Sequence, residues 1–249
     1  MSTVKVNELS TYSGTDISIE TGKTIAGTAS QFKMTGGSSG QYVQTDGSGG
    51  LSFATVAETG FVGYTVYTSS DTWSKSTNSP TKIIVEVQAA GGSGAYGSAG
   101  ANSCSGSGGG YVRKLISDLT SITSGTITIG SPGAGQTSAN TDGNDASDTT
   151  WTDGVNTLTA GGGKKGPNSA YGQAVGGTAT GGDYMVVGGI GAGDNQRGGG
   201  SQLGYPGMPL WTGGATSGAP MGYGAASGGS YGLASADGGV GVVIVWEYK

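Results

Sequence analysis

The fold is decided in the stretch Ile83-Ile84-Val85-Glu86-Val87-Gln88-Ala89-Ala90-Gly91-Gly92-Ser93-Gly94-Ala95-Tyr96-Gly97. Its first half alternates with the two-residue period of a β-strand, which places Ile83, Val85 and Val87 on one face. Its second half is rich in glycine, and each glycine in a helix costs about 1 kcal/mol relative to alanine. The chain therefore passes from a strand into a long glycine-rich segment, and this pattern recurs in the rest of the sequence.

The glycines of this stretch also match a dinucleotide-binding fingerprint, Gly92-x-Gly94-x-x-Gly97. Asp118 lies about 20 residues further on, where a ribose-binding carboxylate is expected. The fingerprint requires a helix after its third glycine, because helix amides and the helix dipole hold the pyrophosphate. The residues after Gly97 have no apolar stripe, and each glycine there costs a helix about 1 kcal/mol. We therefore attribute the match to composition and expect no cofactor.

The composition of the chain limits the kinds of partner that it can bind. Of 249 residues, 55 are glycine, 11% are charged and 34% are hydrophobic, whereas ordinary domains carry about 7% glycine and about 25% charge. The net charge of −5 and the scattered basic residues argue against a nucleic-acid partner. The longest apolar run, 242–246, is too short to insert into a membrane. Residues 1–8 lack the apolar core of a signal peptide, so we expect assembly in a cytoplasm.

The chain has few residues suited to catalysis. It contains no histidine, and Cys104 is its only cysteine. Serine–histidine and cysteine–histidine nucleophiles and the commonest metal ligand are thereby excluded. Catalysis by carboxylates, lysine or tyrosine stays open, but we expect the protein not to be an enzyme.

Glycine usage divides the chain at about residue 60. Residues 1–60 contain ten glycines, residues 61–90 contain one, and residues 91–249 contain 44. The first segment predicts short strands at 4–6, 16–20, 41–45 and 51–56. With so few large apolar groups it can hardly close a core alone, so we interpret residues 1–60 as an attachment and trimerisation module. The second segment predicts strands at 61–68, 81–90, 111–116, 125–129, 156–160, 185–187 and 240–248.

These patterns predict an all-β fold. A short N-terminal β oligomerisation module precedes a β-sandwich-like domain, residues 61–249, with long glycine-rich loops of polyglycine II type. Residues 242–246 are apolar on both faces, which is typical of a central strand covered on each side. Ordering so many glycines costs conformational entropy, so we expect their missing side chains to permit close backbone packing, across several copies of the chain.

Widely spaced aromatic and apolar residues in the glycine-rich region are the candidate receptor-binding residues. Tyrosine and tryptophan on loops offer large, stiff contact area with a polar tip. The alternative is that these rings fill gaps between glycine segments. The best candidate for an exposed tip is Tyr205-Pro206-Gly207-Met208-Pro209-Leu210-Trp211. The candidate residues are Tyr171, Tyr184, Tyr205, Met208, Leu210, Trp211, Tyr223 and Tyr231.

One acidic loop is a weak candidate for a calcium site. Asp142, Asn144, Asp145 and Asp148 supply the oxygen ligands that calcium prefers. Their spacing misses the EF-hand pattern, so a solvated acidic loop is the favoured interpretation and we predict no metal.

Several motifs, taken in order, resemble the tail-fibre proteins of marine bacteriophages. The motifs are Ser2-Thr3-Val4-Lys5-Val6-Asn7-Glu8-Leu9, Gly40-Gln41-Tyr42-Val43-Gln44-Thr45-Asp46-Gly47, Gly108-Gly109-Gly110-Tyr111-Val112, Thr126-Ile127-Thr128-Ile129-Gly130 and Gly239-Val240-Gly241-Val242-Val243-Ile244-Val245. From residue 83 onward the pattern is similar to the glycine-rich domain of phage fibre tips. Known glycine-helix adhesins have longer and more regular glycine tracts than this chain.

The resemblance implies a homotrimeric protein of the virion tail, assembled in the host cytoplasm. Residues 1–60 would bind other tail proteins, and the glycine-rich domain would contact a host surface glycan or outer-membrane protein. Two alternatives stay open. One is a purely structural capsid decoration fibre or tail connector, and the other is a carboxylate-based glycan depolymerase.

Overall fold

The computed structural model describes residues 36–48, 50–56, 59–76, 79–98, 103–169, 171–193, 197–209 and 218–249. The chain divides into two compact units, Met1–Ala57 and Glu58–Lys249. The strands predicted at 4–6 and 16–20 lie outside the described residues.

The described part of the first unit is a β-hairpin. Strand β1 (Gln41–Thr45) pairs antiparallel with β2 (Leu51–Thr55), in the register that sets Thr45 opposite Leu51. Asp46 fixes the turn, because its Oδ1 accepts hydrogen bonds from the amides of Ser48 and Gly50, at 2.7 and 3.0 Å. The hairpin matches the strands expected at 41–45 and 51–56.

The second unit is built from two five-stranded antiparallel sheets and two smaller two-stranded sheets. Its strands are β3 (Phe61–Tyr67), β4 (Asp71–Ser74), β5 (Lys82–Gln88), β6 (Tyr96–Gly97), β7 (Tyr111–Ile116), β8 (Ser124–Thr128), β9 (Thr149–Thr152), β10 (Thr157–Ala160), β11 (Ala179–Thr180), β12 (Tyr184–Val186), β13 (Gly204–Tyr205), β14 (Met221–Gly222), β15 (Ser230–Tyr231) and β16 (Val242–Tyr248). One sheet has the order β12-β7-β5-β16-β3 and the other β11-β10-β9-β8-β4. No helix occurs in the described residues, so the predicted all-β fold is confirmed.

The apolar core lies between these two sheets. Alternation along β5 turns Ile83, Val85 and Val87 inward, where each is fully buried. The opposite sheet contributes Trp73 and Trp151, whose rings pack with centroids 5.7 Å apart. Burying large aromatic surface contributes strongly to stability, at about 25 cal/mol per Å² of apolar area. The two tryptophans therefore anchor the β-sandwich.

Strand β16, which lies between β5 and β3, is fully covered along its length on only one of its faces. Val243 and Val245 are buried in the core, whereas Ile244 and Trp246 on the other face are half-buried. The expectation that residues 242–246 are covered on both sides is therefore wrong for most of the strand. Only Val242, at the end of β16 next to the glycine-rich region, is fully buried on that outer side.

The glycine-rich residues form a bundle of extended segments that continues the sandwich strands. Segment 89–95 leaves the end of β5, and segment 103–110 returns antiparallel to it and leads into β7, with bonds such as Gly92 N to Ser107 O at 3.0 Å. Segments 161–167 and 174–178 repeat this path between β10 and β11. Because segments leave and re-enter the sandwich at one end of the bundle, we call its opposite end the distal end.

Segment 103–110 is the centre of this glycine bundle. Its amides bond in turn to three neighbouring segments, and the same neighbour recurs every third residue. The amides of Cys104, Ser107 and Gly110 bond to carbonyl groups of segment 161–167, those of Ser105 and Gly108 to Ala192 and Gly189, and those of Gly106 and Gly109 to Ser227 and Gly224. A polyproline II helix also has three residues per turn. Each turn of this segment thus presents one amide to each of three neighbours.

Six segments surround the central one. The carbonyl groups of 103–110 also accept bonds from 89–95, from Gly177 and from Gly199. All eight central residues are buried. A Cβ added at Gly108 would fall on the carbonyl oxygen of Gly200. Glycine is therefore required at this position by the close approach of a neighbouring backbone.

These contacts are made within one chain. The expected close packing of bare backbone is present within the single chain, between its own segments. Buried serine hydroxyls add to it, as when Ser105 Oγ donates to the carbonyl of Ala192 at 2.9 Å. The same carbonyl also accepts the amide of Ser105 at 3.1 Å, so Ser105 is bonded to this neighbour through both its backbone and its side chain.

Candidate functional site

Two of the predicted receptor-binding residues, Tyr205 and Met208, line one hollow on the flank of the glycine bundle. The hollow measures about 410 Å³ and is lined by Arg197, Tyr205, Pro206, Met208, Gly218, Ala219 and Met221. Strands β13 and β14 form its wall, because Tyr205 pairs with Met221 across them. We call this site the flank hollow.

The flank hollow is apolar with one cationic group at its edge. The side chains of Tyr205 and Met221 are exposed by 61% and 72%, which is unusual for two large apolar groups in adjacent strands. Pro206 stiffens the backbone beside them. The bundle fixes the base of the hollow through the bond from Gly207 N to Ala226 O, at 2.9 Å.

The other candidates lie elsewhere. Tyr171, which follows segment 161–167, is 97% exposed near the distal end of the bundle, and Tyr231 is half-buried in strand β15. Tyr184 lies on the outer face of the sandwich, and Tyr223 is half-buried where its amide bonds to Leu203 O. Leu210 and Trp211 lie outside the described residues. The candidates thus fall on three separate surfaces of the unit.

Arg197 and Met221 are residues of the flank hollow that sequence reasoning missed. They come from two different segments of the bundle, so no local spacing joins either to Tyr205. One signal was available for Met221, because Pro220-Met221-Gly222 resembles Gly207-Met208-Pro209 in placing methionine beside proline and glycine. No comparable signal marks Arg197.

The acidic loop forms a ladder instead of a metal centre. Oδ1 of Asp142, Asp145 and Asp148 accepts a bond from the amides of Asn168, Lys165 and Gly162, at 2.8, 2.8 and 2.9 Å. The carboxylates are spaced by three residues, as are their partners. They therefore point in succession along segment 161–167 and do not converge on one point. Among the residues that the structure describes, no group of three or more potential metal ligands of this kind occurs.

Ion pairs also join this row of carboxylates, which we call the acidic ladder, to segment 161–167. Lys165 Nζ lies 2.9 Å from Asp142 Oδ2, and Lys164 Nζ lies 3.6 Å from Asp145 Oδ2. The amide of Asn168, together with Lys165, lowers the pKa of Asp142 below its ordinary value. The carboxylates thus serve to hold two segments of the glycine bundle together.

The glycines that match the dinucleotide-binding fingerprint also have a structural role. A Cβ at Gly92 would fall on the carbonyl oxygen of Lys164, and one at Gly94 on that of Gly228. Asp118 accepts a bond from its own neighbour Thr120, at 2.8 Å. These residues therefore serve backbone packing and a local turn.

Comparison with protein-family models finds none that matches the chain, and comparison with curated proteins finds no significant match. Within the described residues, no helix is long and apolar enough to span a membrane.

Proposed function

We propose that this protein is a homotrimeric fibre protein of a phage virion that binds the surface of the host cell. The observation that carries the proposal is the glycine bundle, whose interior consists of backbone and very small side chains. Its connections and flank can accept different surface residues without disturbing that interior. This is the property expected of an adhesin that presents binding residues on a rigid support.

The flank hollow is the proposed receptor site. Tyr205, Met208 and Met221 offer apolar contact area, and Arg197 offers a charged hydrogen-bond donor at the edge. A rigid base limits the conformational entropy lost when such a surface binds its partner. A host glycan or an outer-membrane protein fits this combination of stiff apolar area with one polar group.

The first unit is the proposed trimerisation module. Its hairpin exposes Tyr42, Val43 and Leu51 by 47%, 42% and 63%. A two-stranded hairpin is marginal alone, so we infer that identical neighbours supply the missing burial. Light scattering of the purified protein should give about three times the monomer mass, and a monomeric mass would contradict the trimer.

The binding proposal is tested by measuring adsorption of the labelled protein to a panel of marine bacteria. We expect the double variant Tyr205→Ala/Met221→Ala to bind a recognised strain at least tenfold more weakly, as expected when two central apolar contacts are lost. Val155→Ala is the matched control, because Val155 is 72% exposed in the turn between β9 and β10, at the opposite end of the sandwich.

The same experiment separates the alternatives. If both variants adsorb like the unaltered protein, the flank hollow is not the receptor site. If no strain retains any form of the protein, a structural fibre or connector is favoured. Release of reducing ends from host polysaccharide would instead favour a depolymerase.

A further inference from the structure

A second concave surface lies on the outer face of the sandwich, away from the glycine bundle. Two hollows of about 200 and 280 Å³ lie side by side there and share Ile84 and Arg113. The first is also lined by Glu86, Trp246 and Tyr248, and the second by Leu115, Asp183 and Tyr184. Together they form a shallow groove, which we call the sheet groove, with aromatic rings at both ends.

Trp246 is held rigidly at one end of the sheet groove. Its ring packs against Tyr64 with centroids 5.0 Å apart and against Phe61 at 6.1 Å. Its Nε1 donates a 3.0 Å hydrogen bond to Glu86 Oε1. The orientation of the indole is thus fixed before any ligand arrives, which reduces the entropy cost of stacking a ligand on it.

Glu86 is a fixed hydrogen-bond acceptor in the floor of the groove. Its Oε2 accepts a 2.9 Å bond from the hydroxyl of Tyr111, and burial together with Glu86 raises the pKa of Tyr111. Tyr111 therefore stays protonated and continues to donate at neutral pH. A carboxylate has about four acceptor positions, so both oxygens of Glu86 can accept further bonds.

Arg113 is an uncommitted donor beside this acceptor. Its side chain is exposed and makes no hydrogen bond or ion pair with any residue that the structure describes. Asp183 in the neighbouring hollow is already bonded to the amide of Leu115 at 2.9 Å and paired with Lys114. The groove therefore offers one free guanidinium and one carboxylate, with no net excess of either charge.

We propose that the sheet groove binds a neutral oligosaccharide. The C–H face of a sugar ring stacks on an aromatic ring, and its hydroxyl groups both donate and accept hydrogen bonds. Trp246 provides the stacking face, Glu86 accepts from hydroxyls and Arg113 donates to them. The balance of charge between Glu86 and Arg113 favours a neutral sugar over an acidic one. This inference concerns a different surface from the flank hollow and does not depend on the fibre role.

The test measures binding of the full-length protein to neutral trisaccharides (cellotriose, maltotriose and mannotriose), with trigalacturonic acid as the acidic comparison. Calorimetry gives the Kd, and saturation-transfer NMR shows which protons of the sugar contact the protein. We expect at least one neutral trisaccharide to bind and trigalacturonic acid not to bind. Arg113→Ala and Glu86→Gln should each weaken binding at least tenfold, and Trp246→Phe should remove the change in tryptophan fluorescence on binding.

The controls separate this site from the flank hollow. Tyr205→Ala should leave trisaccharide binding unchanged, while Arg113→Ala should leave cell adsorption through the flank hollow unchanged. Thermal unfolding of each variant checks its fold, and the exposed position of Arg113 makes that variant the least disruptive. Absence of binding by every neutral trisaccharide, preference for the acidic one, or self-association abolished by Arg113→Ala would each overturn the proposal.

Discussion

The indole Nε1 of Trp73 donates a 3.0 Å hydrogen bond to Oε1 of Glu247 and so joins the two sheets of the sandwich. Trp73 lies in β4 of one sheet, and Glu247 lies in β16 of the other. The carboxylate is buried, and its second oxygen accepts a 2.8 Å bond from Ser76 Oγ. A buried carboxylate is tolerated here because both of its oxygens have donors.

Removing this carboxylate should destabilise the sandwich. Glu247→Ala leaves the Trp73 and Ser76 donors without their acceptor and opens a small cavity, so we expect a loss of about 2–4 kcal/mol in the free energy of unfolding. Glu247→Gln keeps one acceptor oxygen and should lose less. Urea denaturation measures both values.

A double-mutant cycle isolates the bond between the sheets. Trp73→Phe removes the Nε1 donor but keeps an aromatic ring in the core, and combining it with Glu247→Ala, which removes the acceptor, tests whether the two losses are coupled. Strictly additive losses would contradict a direct contribution from the Trp73–Glu247 bond.

The centre of the glycine bundle should not tolerate a single methyl group. A Cβ at Gly108 meets the backbone of Gly200, which cannot move without shifting the segments around it. Gly108→Ala should therefore cost more than about 3 kcal/mol or prevent folding, since overpacking of a rigid interior strains its neighbours. Urea denaturation, with circular dichroism as the signal, gives the difference.

Gly63→Ala is the matched control for this substitution. Gly63 lies in β3, and a Cβ there would meet no atom within 4 Å. The free energy of unfolding of the Gly63→Ala variant should stay within about 1 kcal/mol of that of the unaltered protein. Equal losses at Gly63 and Gly108 would show that glycine is needed for another reason than backbone contact.

The strands could be predicted where apolar and polar residues alternate strongly along the sequence. Strand β7 has the predicted bounds, and β5, β8, β10 and β16 differ from the prediction by one or two residues at an end. Strands β4 and β9 were missed, because threonine, aspartate and serine surround Trp73 and Trp151 and hide their inward-facing alternation. Burial against the opposite sheet, which sequence does not show, makes these two residues central to the core.

The partners within the glycine bundle could not be predicted. The amide of Gly108 bonds to Gly189, and glycine carries no side chain that could distinguish this neighbour from another. For the same reason, only part of the flank hollow could be predicted from the sequence. Tyr205 and Met208 are conspicuous within one segment, whereas Arg197 reaches the site only through the arrangement of the bundle.

The acidic ladder should make stability depend on pH. Because hydrogen bonds from Asn168 and Lys165 lower the pKa of Asp142 in the folded protein, its stabilisation is complete above the unfolded carboxyl pKa. It is lost as pH falls through the folded value. We expect Asp142→Asn to lower the Tm near neutral pH, and the Tm values of the two proteins to converge once the pH falls below the lowered pKa of Asp142.

Thermal unfolding at a series of pH values measures this convergence. Asparagine keeps an oxygen that can accept from the amide of Asn168, so the variant mainly removes the charge next to Lys165. A difference in Tm that stays constant down to acid pH would show that the carboxylate of Asp142 contributes through its shape and not through its charge.

Cys104 should be unreactive in the folded protein. It lies fully buried in the central segment of the bundle, with Sγ 2.9 Å from the carbonyl oxygen of Ser169 and 3.0 Å from that of Gly172. Only an exposed thiolate attacks an external disulfide, so reaction requires the surrounding segments to open.

We expect Ellman's reagent to react at least about 100-fold more slowly with the native protein than with the urea-unfolded chain. Because Cys104 is the only cysteine, the released colour reports this one site. Complete reaction within seconds under native conditions would mean that the centre of the bundle opens readily, which is incompatible with a rigid support for binding residues.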